Sequence, residues 1–472
     1  MIYFSTCFKM STGMEISMSE EKNIQMNENK MGVMSENKLL LSMSIPMMIS
    51  MLVQALYNIV DSLFVARIDE QALTAVSYAF PLQTLIIALS GGTCVGINAL
   101  LSRALGEKNE KKVNAYAMNG IFVMGIVYIV FFVLGLLAVR PFYEMQTNNS
   151  RIVEYGVDYL TIVLCASIGI CMQFVFEKLL QSTGKTIHTM FTQMLGAIIN
   201  LILDPILIFG LLGAPKMGVA GAAVATVIGQ IAAGVLALVL NLKCNKEIHF
   251  SIKGFRPSLN VIKQIYVIGL PSIIMQSIGS IMVVGMNAIL GSFTETAVAV
   301  FGIYFKMQSF VFMPIFGLNN GMVPIVAYNY GAKRKDRVLK VVKLSVMYAM
   351  SIMLVGFVLF QTIPNLMLKL FDASDNMYKI GIPALRIISI HFIMAGFNII
   401  GGTMFQALGC AVYSMITSIC RQLIVLLPAA FILSKIGSVT TVWWAFPIAE
   451  IMAFIMTIFF MIRVNKNVLN KI

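Results

Sequence analysis

Carboxylate, amide and hydroxyl side chains line one face of the first long apolar segment of the sequence. Ser50, Gln54, Asn58 and Asp61 follow one another at spacings of four, four and three residues, and Tyr57 lies beside them. In an α-helix this spacing places them on a single face. An ionisable group inside an apolar segment is costly to bury, so Asp61 is a candidate for function rather than for packing.

A second polar stripe occurs in the fifth long apolar segment. Gln193, Asn200 and Asp204 are separated by seven and four residues, which again fits one helical face. Pro205 has no N–H group, so the carbonyl oxygen of Leu201 loses its helical partner between Asn200 and Asp204. Carboxylate, amide and carbonyl oxygens are hard donors that suit Na⁺ or a shared proton. If the acids of the two stripes approach each other, they titrate as a unit, and this would couple protonation to helix movement.

Other polar groups within apolar segments belong to the second half of the sequence. Lys306, Arg421 and Glu450 either neutralise one another or contact a substrate, and both alternatives stay open on the sequence alone. His391 is more typical of a hydrogen-bonded interior histidine than of a proton relay. The side chains predicted to line a substrate cavity are Gln54, Tyr57, Asn58, Gln193, Gln276, Asn287 and Glu450.

The composition excludes an ordinary soluble protein. Of the 472 residues, 58% are hydrophobic and 12% are charged, whereas soluble domains contain about 25% charged residues. The net charge of +13 does not indicate a nucleic-acid partner, because the basic residues are scattered between apolar runs. We therefore expect the chain to lie in a lipid bilayer.

Twelve apolar stretches are long enough to cross the bilayer as helices. The predicted fold class is an all-α integral membrane protein with twelve transmembrane helices in two six-helix bundles. The second and eighth stretches, near 72–102 and 297–330, are too long for straight perpendicular helices, and both contain proline and glycine. We expect these two helices to be bent or tilted.

An internal repeat relates the two halves of the sequence. One constant shift places Pro46 on Pro271 and Gly106 on Gly331, and we call this alignment the repeat register. Each half contains six stretches, so the halves are parallel repeats related by a pseudo-twofold axis along the membrane normal, as in rocking transporters. The predicted domains are a disordered cytoplasmic tail (1–38), an amino-terminal lobe with the cation site (39–242), a basic cytoplasmic linker (243–263), a carboxyl-terminal lobe (264–462) and a cytoplasmic carboxyl-terminal tail (463–472).

The repeat does not extend to the two acids. In the repeat register, Asp61 falls on Met286 and Asp204 falls on Ala429. The ion-coupling site is therefore predicted in the amino-terminal lobe alone.

The distribution of basic residues predicts the orientation of the chain. Most of the 34 lysine and arginine residues lie in the two tails and in the loops that follow the even-numbered stretches. Loops rich in lysine and arginine stay in the cytoplasm. We expect both termini to be cytoplasmic in a multi-pass protein of the plasma membrane.

Motifs for ATP-driven transport and for catalysis are missing from the sequence. The run from Thr183 to Thr186 resembles the end of a phosphate-binding loop, but Leu179 stands where that motif needs its first glycine. An intramembrane enzyme would have to use Asp61 and Asp204 as a catalytic dyad. We expect neither enzymatic activity nor ATP, and no cofactor beyond Na⁺ or H⁺ as the coupling ion.

Three motifs of this chain resemble the multidrug and toxic compound extrusion (MATE) family. They begin at Asn200, Gly218 and Val323 and have the sequences NLILDPILIFG, GVAGAAVAT and VPIVAYNYG. The likeness covers nearly the whole chain from about residue 39. It is greatest to the MepA-type and DinF-like bacterial exporters.

The resemblance implies export of structurally diverse, often cationic organic compounds in exchange for Na⁺ or H⁺. It also implies a cation site in which Asp61 matches the acid of the first helix, Asn200 and Asp204 match the fifth-helix pair, and Thr226 matches a hydroxyl of the sixth helix. NorM-type members are associated with acids on the seventh and tenth helices, where this chain has amides and a histidine. A cation site in the carboxyl-terminal lobe is therefore not expected.

We expect a secondary antiporter that works by alternating access as a monomer, with small organic molecules and the lipid bilayer as its partners. The 35 methionines and 31 phenylalanines suggest an adaptable apolar lining. The alternative is a flippase for lipids or lipid-linked oligosaccharides, in which Lys306 and Arg421 would face a phosphate group.

Overall fold

The computed structural model of the protein describes residues 29–251, 255–371 and 373–471. Within these ranges the chain is almost entirely helical, which confirms the predicted all-α fold class. Ten helices are long and apolar enough to span a membrane, and two bent helix pairs bring the number to twelve. Five helical residues have side chains outside the described part of the structure, namely Asn58, Ser62, Leu63, Ala66 and Glu70.

The spanning helices are numbered here in chain order. Those of the first half are α1 (Glu36–Ala66), α2 (Glu70–Gly106), α3 (Glu110–Leu137), α4 (Ser150–Cys165 and Ile168–Ser182), α5 (Thr186–Phe209) and α6 (Val219–Cys244). Those of the second half are α7 (Leu259–Gly291), α8 (Glu295–Gly331), α9 (Lys335–Thr362), α10 (Asp375–Ser389 and Phe392–Ala407), α11 (Ala411–Ile436) and α12 (Ala445–Asn467). Short helices cover Lys30–Val33, Val139–Glu144, Pro364–Lys369 and Val439–Val442.

The internal repeat is visible in the helix boundaries. When α2 and α3 are shifted in the repeat register, they coincide at both ends with α8 and α9. The breaks in α4 and α10 occur at matching places, with bends of 42° and 49°. Lys108 and Lys333, which the repeat register also pairs, adopt the left-handed backbone conformation just after α2 and α8. The sequence register therefore describes a repeat of the structure.

The breaks in the helices occur where the sequence did not predict them. The two longest helices, α2 and α8, are each continuous over 37 residues although both contain proline. A helix longer than the bilayer can be accommodated by tilt alone. The breaks in α4 and α10 lie at residues 166–167 and 390–391, and no proline stands next to either one.

Each lobe has its own apolar core, but the first helix of each lobe also packs into the core of the other. Leu39, Leu40 and Met43, at the start of α1, are fully buried in the core of the carboxyl-terminal lobe. Val65, near the other end of α1, and Ile265, near the start of α7, lie in the core of the amino-terminal lobe. The lobe boundaries predicted at residues 39 and 264 therefore do not separate the packing.

The lobes approach closely where α2 and α8 end. A Cβ atom at Gly106 would overlap the carbonyl oxygen of Tyr328, and one at Gly331 would overlap the carbonyl oxygen of Arg103. Glycine allows two helix backbones to come this close. The Arg103 guanidinium lies 4.7 Å from the ring centroid of Tyr330 and adds a cation–π contact. We call this symmetric contact the glycine junction.

Residues 29–35 form a strap across the glycine junction. On the side of the amino-terminal lobe, Asn29 Nδ2 donates a hydrogen bond to the carbonyl oxygen of Thr183, just after α4, at 3.1 Å. On the other side, Met31 is fully buried, and its carbonyl oxygen accepts a hydrogen bond from Asn329 Nδ2 of α8 at 3.1 Å. The strap thus connects both lobes on the face that carries the ends of α2 and α8.

The predicted disordered tail, residues 1–38, is wrong at its carboxyl end. Lys30–Val33 is a helical turn, and α1 begins at Glu36, whose carboxylate lies 2.9 Å from Lys340 Nζ of α9. This stretch has the polar composition of a tail. It is nevertheless ordered, because its polar groups bind to both lobes. Residues 1–28 lie outside the described part of the chain.

Alanine substitutions test the glycine junction. We predict that Gly106→Ala and Gly331→Ala each destabilise the protein by about 1–3 kcal/mol, because a methyl group there forces two backbones apart. The matched control is Gly125→Ala in α3, where an added Cβ meets nothing within 4 Å. Thermal unfolding of the purified protein in detergent measures the effect. Equal melting temperatures for all three variants would contradict the close approach.

Candidate functional site

The candidate ion site lies between α5 and α6. Asn200 Nδ2 donates hydrogen bonds to Asp204 Oδ1, one turn along α5, and to Thr226 Oγ1 of α6, both at 3.2 Å. Asp204 is fully buried, and Asn200 is 4% exposed. The two helices come close together because a pair of glycines faces across them, so that a Cβ at Gly229 would lie 2.7 Å from the carbonyl oxygen of Gly196. This packing places the Thr226 hydroxyl within reach of α5.

The first helix supplies the second acid of the site. The carboxyl group of Asp61 on α1 lies close enough to that of Asp204 on α5 for the two acids to interact. Two ionised carboxylates offer only acceptor oxygens and repel each other, so a proton or a cation would stabilise this contact. The structure thus brings together the acids of the two polar stripes.

Three oxygen atoms of this group are buried without a hydrogen-bond donor in the described part of the chain. They are Asp61 Oδ1, Asn200 Oδ1 and Asp204 Oδ2. A buried acceptor that lacks a partner costs free energy, and the cost is greater in a medium of low polarity. Hard oxygen atoms that converge in this way fit a monovalent cation or a proton. The site can therefore take up positive charge.

Two tyrosines flank the acid pair. Tyr57, one turn before Asp61 on α1, and Tyr159 on α4 both lie close enough to interact electrostatically with the two carboxyl groups. Tyr159 OH accepts a hydrogen bond from Gln83 Nε2 of α2 at 2.8 Å. The sequence analysis missed Tyr159 and Gln83, because neither belongs to a polar stripe.

Gln193 belongs to a different polar group. Its Nε2 donates a hydrogen bond to Glu177 Oε2 of α4 at 2.7 Å, and two further side chains donate to the same carboxylate. Glu177 is only 4% exposed. The next residue, Lys178, donates to Asn320 Oδ1 of α8 at 2.8 Å and so connects the lobes. The spacing from Gln193 to Asn200 is correct for one helical face. However, seven residues of helix separate these two side chains by about 10 Å.

Two further cavity candidates lie on α7. Gln276 is exposed, and its side chain comes close to Gly91 of α2, between the two lobes. Asn287 is half-buried farther along the helix. Asn58, although on α1 beside the acid pair in sequence, has its side chain outside the described part of the structure.

The charged candidates of the second half separate into two places. Glu450 of α12 pairs with Arg421 of α11, with Nη1 and Oε2 at 3.2 Å. Lys306 does not join them, since it is exposed and lies 5.8 Å from the ring centroid of Phe371. His391 is 5% exposed, and its Nδ1 lies 3.0 Å from a backbone carbonyl oxygen, as expected of an interior histidine. Lys306 and Arg421 thus do not converge on one anion, which removes the observation that favoured a flippase.

Comparison with known sequences adds independent information. A family model described as MatE matches residues 46–206 and 271–432, two segments whose first residues are a pair in the repeat register. Multidrug export protein MepA of Staphylococcus haemolyticus (strain JCSC1435) is 26% identical over 403 residues, which cover 84% of this chain and 87% of that protein. Multidrug export protein MepA of Staphylococcus aureus (strain MW2) is 26% identical over 407 residues, with the same two coverages.

Solved structures with this fold are also known. An outward-facing conformation of a multidrug resistance MATE family transporter of the MOP superfamily matches with a TM-score of 0.89 at 25% identity, covering 94% of this chain and 99% of that one. A MATE crystal structure in complex with MaL6 matches with a TM-score of 0.88 at 25% identity, covering 94% and 100%. The twelve-helix arrangement therefore matches experimental structures over almost the whole chain.

Substitutions of Thr226 test the geometry of the site. Thr226→Val keeps the shape of the side chain but removes the acceptor for Asn200 Nδ2, a loss of one hydrogen bond worth about 0.5–1.5 kcal/mol. We predict that it weakens the apparent affinity for the coupling ion by about two- to tenfold. Thr226→Ser retains the hydroxyl and serves as the matched control. The measurement is solute transport by the purified protein in liposomes against ion concentration, and equal affinities for both variants would exclude a role for the hydroxyl.

Proposed function

Because this chain belongs to the MatE family, we propose that it is a secondary antiporter that exports organic compounds in exchange for Na⁺ or H⁺. The proposal rests on the neighbouring acids Asp61 and Asp204, each of which has a buried oxygen atom that lacks a partner within the described residues. Ionisable groups inside a membrane protein mark ion pathways. An ion that binds one conformation more tightly than another shifts the equilibrium between the two.

In this proposal, α1 transmits ion binding to the two lobes. Asp61, toward the end of α1, contacts α5, whereas Leu39 and Leu40 at its start lie in the core of the opposite lobe. A cation or proton that joins the acid pair changes the charge and hydrogen bonding at Asp61. The packing of α1 against α5 changes with it. Because the other end of α1 is anchored in the carboxyl-terminal lobe, this change closes the amino-lobe cavity and releases the bound compound.

The substrates that we propose are structurally diverse organic compounds, many of them cationic. The names of the MepA relatives, multidrug export proteins of two staphylococci, support this substrate class. The high methionine and phenylalanine content of the chain is consistent with it, since methionine adapts its shape to different ligands.

We further propose that the protein lies in the plasma membrane, with the strap and the glycine junction on the cytoplasmic side. The basic loops on this face support that orientation, and both termini would then be cytoplasmic. The lobes touch at the glycine junction on this side, as suits an outward-facing carrier, the state named for one similar structure. We propose a monomer as the functional unit, because each chain has its own acid pair and its own two lobes.

The variant Asp61→Asn tests the coupling role directly. The amide keeps the shape of the side chain but removes one of the two carboxyl groups, so we predict folded protein in the membrane and loss of ion-driven export. Glu154→Gln, which neutralises an exposed acid on α4, is the matched control and should transport normally. The measurement is export of a fluorescent organic cation from liposomes under an imposed ion gradient. Normal transport by Asp61→Asn would rule out the proposed role.

The same liposomes identify the coupling ion. A pure Na⁺ gradient and a pure pH gradient are imposed in separate experiments on the wild-type protein. We predict uphill movement of the organic cation under at least one of them. Movement under neither gradient would contradict antiport.

A further inference from the structure

The carboxyl-terminal lobe contains a buried ion pair that the coupling mechanism does not use. Glu450 of α12 is 4% exposed, and its Oε1 accepts a hydrogen bond from Asn398 Nδ2 of α10 at 2.7 Å. Arg421 of α11 lies at 3.4 and 3.2 Å from its two oxygen atoms. Three helices of the lobe therefore meet at one carboxylate.

The contact made by Arg421 leaves much of its hydrogen-bonding capacity for another partner. Both contacts to Glu450 use Nη1, whereas a guanidinium has five N–H donors and pairs most tightly through two nitrogen atoms. Arg421 lies in a π-helical segment, Cys420–Leu426, a rare geometry that is frequent at functional sites. Its side chain keeps 25% of its surface exposed. A charged group within a spanning helix faces the bundle interior or a water-filled cavity.

Further polar atoms beside the pair are buried without a partner among the described residues. They include Asn398 Oδ1 and Tyr304 OH, on side chains that are 7% and 1% exposed. Tyr304 and His391 both lie close enough to interact electrostatically with Arg421 and Glu450. The rings of His391 and Phe446 are stacked, with centroids 6.1 Å apart. Donors, acceptors and aromatic faces thus surround the ion pair, a combination that recognises charged aromatic molecules.

The repeat places the ion pair on the two helices that correspond to those of the candidate ion site. The repeat register places Arg421 on Gly196 of α5 and Glu450 on Ala225 of α6, and both of these lie at the candidate ion site. Ala225 is the residue before Thr226. The ion pair therefore lies on the helices that correspond to α5 and α6, although the acids themselves correspond to Met286 and Ala429.

We propose that Arg421 and Glu450 form a charge-selective subsite for the exported compound. This inference rests on the proposed transport function. The positively charged group of an organic substrate binds Glu450 in place of Arg421, and the released guanidinium binds the carboxylate of a zwitterionic substrate. Monocations and zwitterions then use the same pair in different ways.

A purely structural ion pair predicts a different result. A buried pair contributes little net stability when both partners are replaced together, but removal of one partner leaves an uncompensated charge. Single substitutions at a structural pair would therefore impair transport of every compound alike. A change in the ratio between two substrates of different charge is expected only from a pair that contacts them.

The test compares ethidium, a permanent monocation, with norfloxacin, a zwitterion, as substrates of the full-length protein in liposomes. Arg421→Met leaves Glu450 free, so we predict that the ratio of kcat/KM for ethidium over norfloxacin rises about tenfold or more. Glu450→Gln leaves Arg421 free, and the ratio falls by a similar factor. The matched control is Lys306→Met, which removes an exposed cation outside the pair and should leave the ratio within twofold.

The double variant Arg421→Met/Glu450→Gln keeps the test decisive if a single variant fails to fold. The double variant contains no uncompensated charge. We predict that it transports both compounds but binds each of them more weakly. The KM for norfloxacin should rise more than that for ethidium, because norfloxacin loses two contacts. Parallel loss for both compounds, or unchanged KM values, would overturn the subsite. If the wild-type protein moves neither compound under any gradient, the proposed function fails instead, which separates the two conclusions.

Discussion

The approach of the carboxyl groups of Asp61 and Asp204 is the contact on which the proposed mechanism depends. Two neighbouring acids inside a lipid-embedded lobe repel each other unless a proton or a cation compensates part of their charge. The residues around the two acids limit which group can compensate this charge. Asn200 donates its amide hydrogen atoms to Asp204 and Thr226, so its own carbonyl oxygen adds to the unpaired acceptors. We propose that the site gains and loses one positive charge.

The consequences of that charge for the whole molecule follow from the packing of α1. This helix belongs to the amino-terminal half in sequence, yet its first turns are buried in the core of the other lobe. α7 shows the reciprocal arrangement through Ile265. A change at Asp61 is thus applied to a helix held at both ends by different lobes. The glycine junction, where α2 and α8 touch backbone to backbone, marks where the lobes meet on the strap side.

The two lobes share a scaffold but differ in their chemistry. Helix boundaries, breaks and left-handed residues recur in the repeat register, while the acids do not. In place of an acid pair, the second lobe contains Arg421 and Glu450, which neutralise each other and require no ion from solution. We propose that the two lobes use this scaffold for different tasks, uptake of a coupling ion in the first lobe and discrimination of substrate charge in the second.

The sequence predicts those features that depend on hydrophobicity, helical period and the repeat. The twelve spans and the two polar stripes that carry Asp61 and Asp204 follow from residue spacing, because a helix fixes which side chains share a face. Residue spacing does not predict which side chain on another helix each of these residues contacts. Gln193 satisfies the same spacing but binds Glu177, and Lys306 stays apart from Arg421 and Glu450. The strap resembles a disordered tail because its stability comes from contacts with distant parts of the chain, such as that of Asn329 with Met31.

Calorimetric measurement of ion uptake by the purified protein tests the central claim most directly. Heats of Na⁺ binding, and heats of proton uptake in buffers of different ionisation enthalpy, give the number of positive charges taken up per molecule. The account predicts uptake of about one charge by the wild-type protein and its loss in both Asp61→Asn and Asp204→Asn. Uptake that persists unchanged in both variants would contradict it.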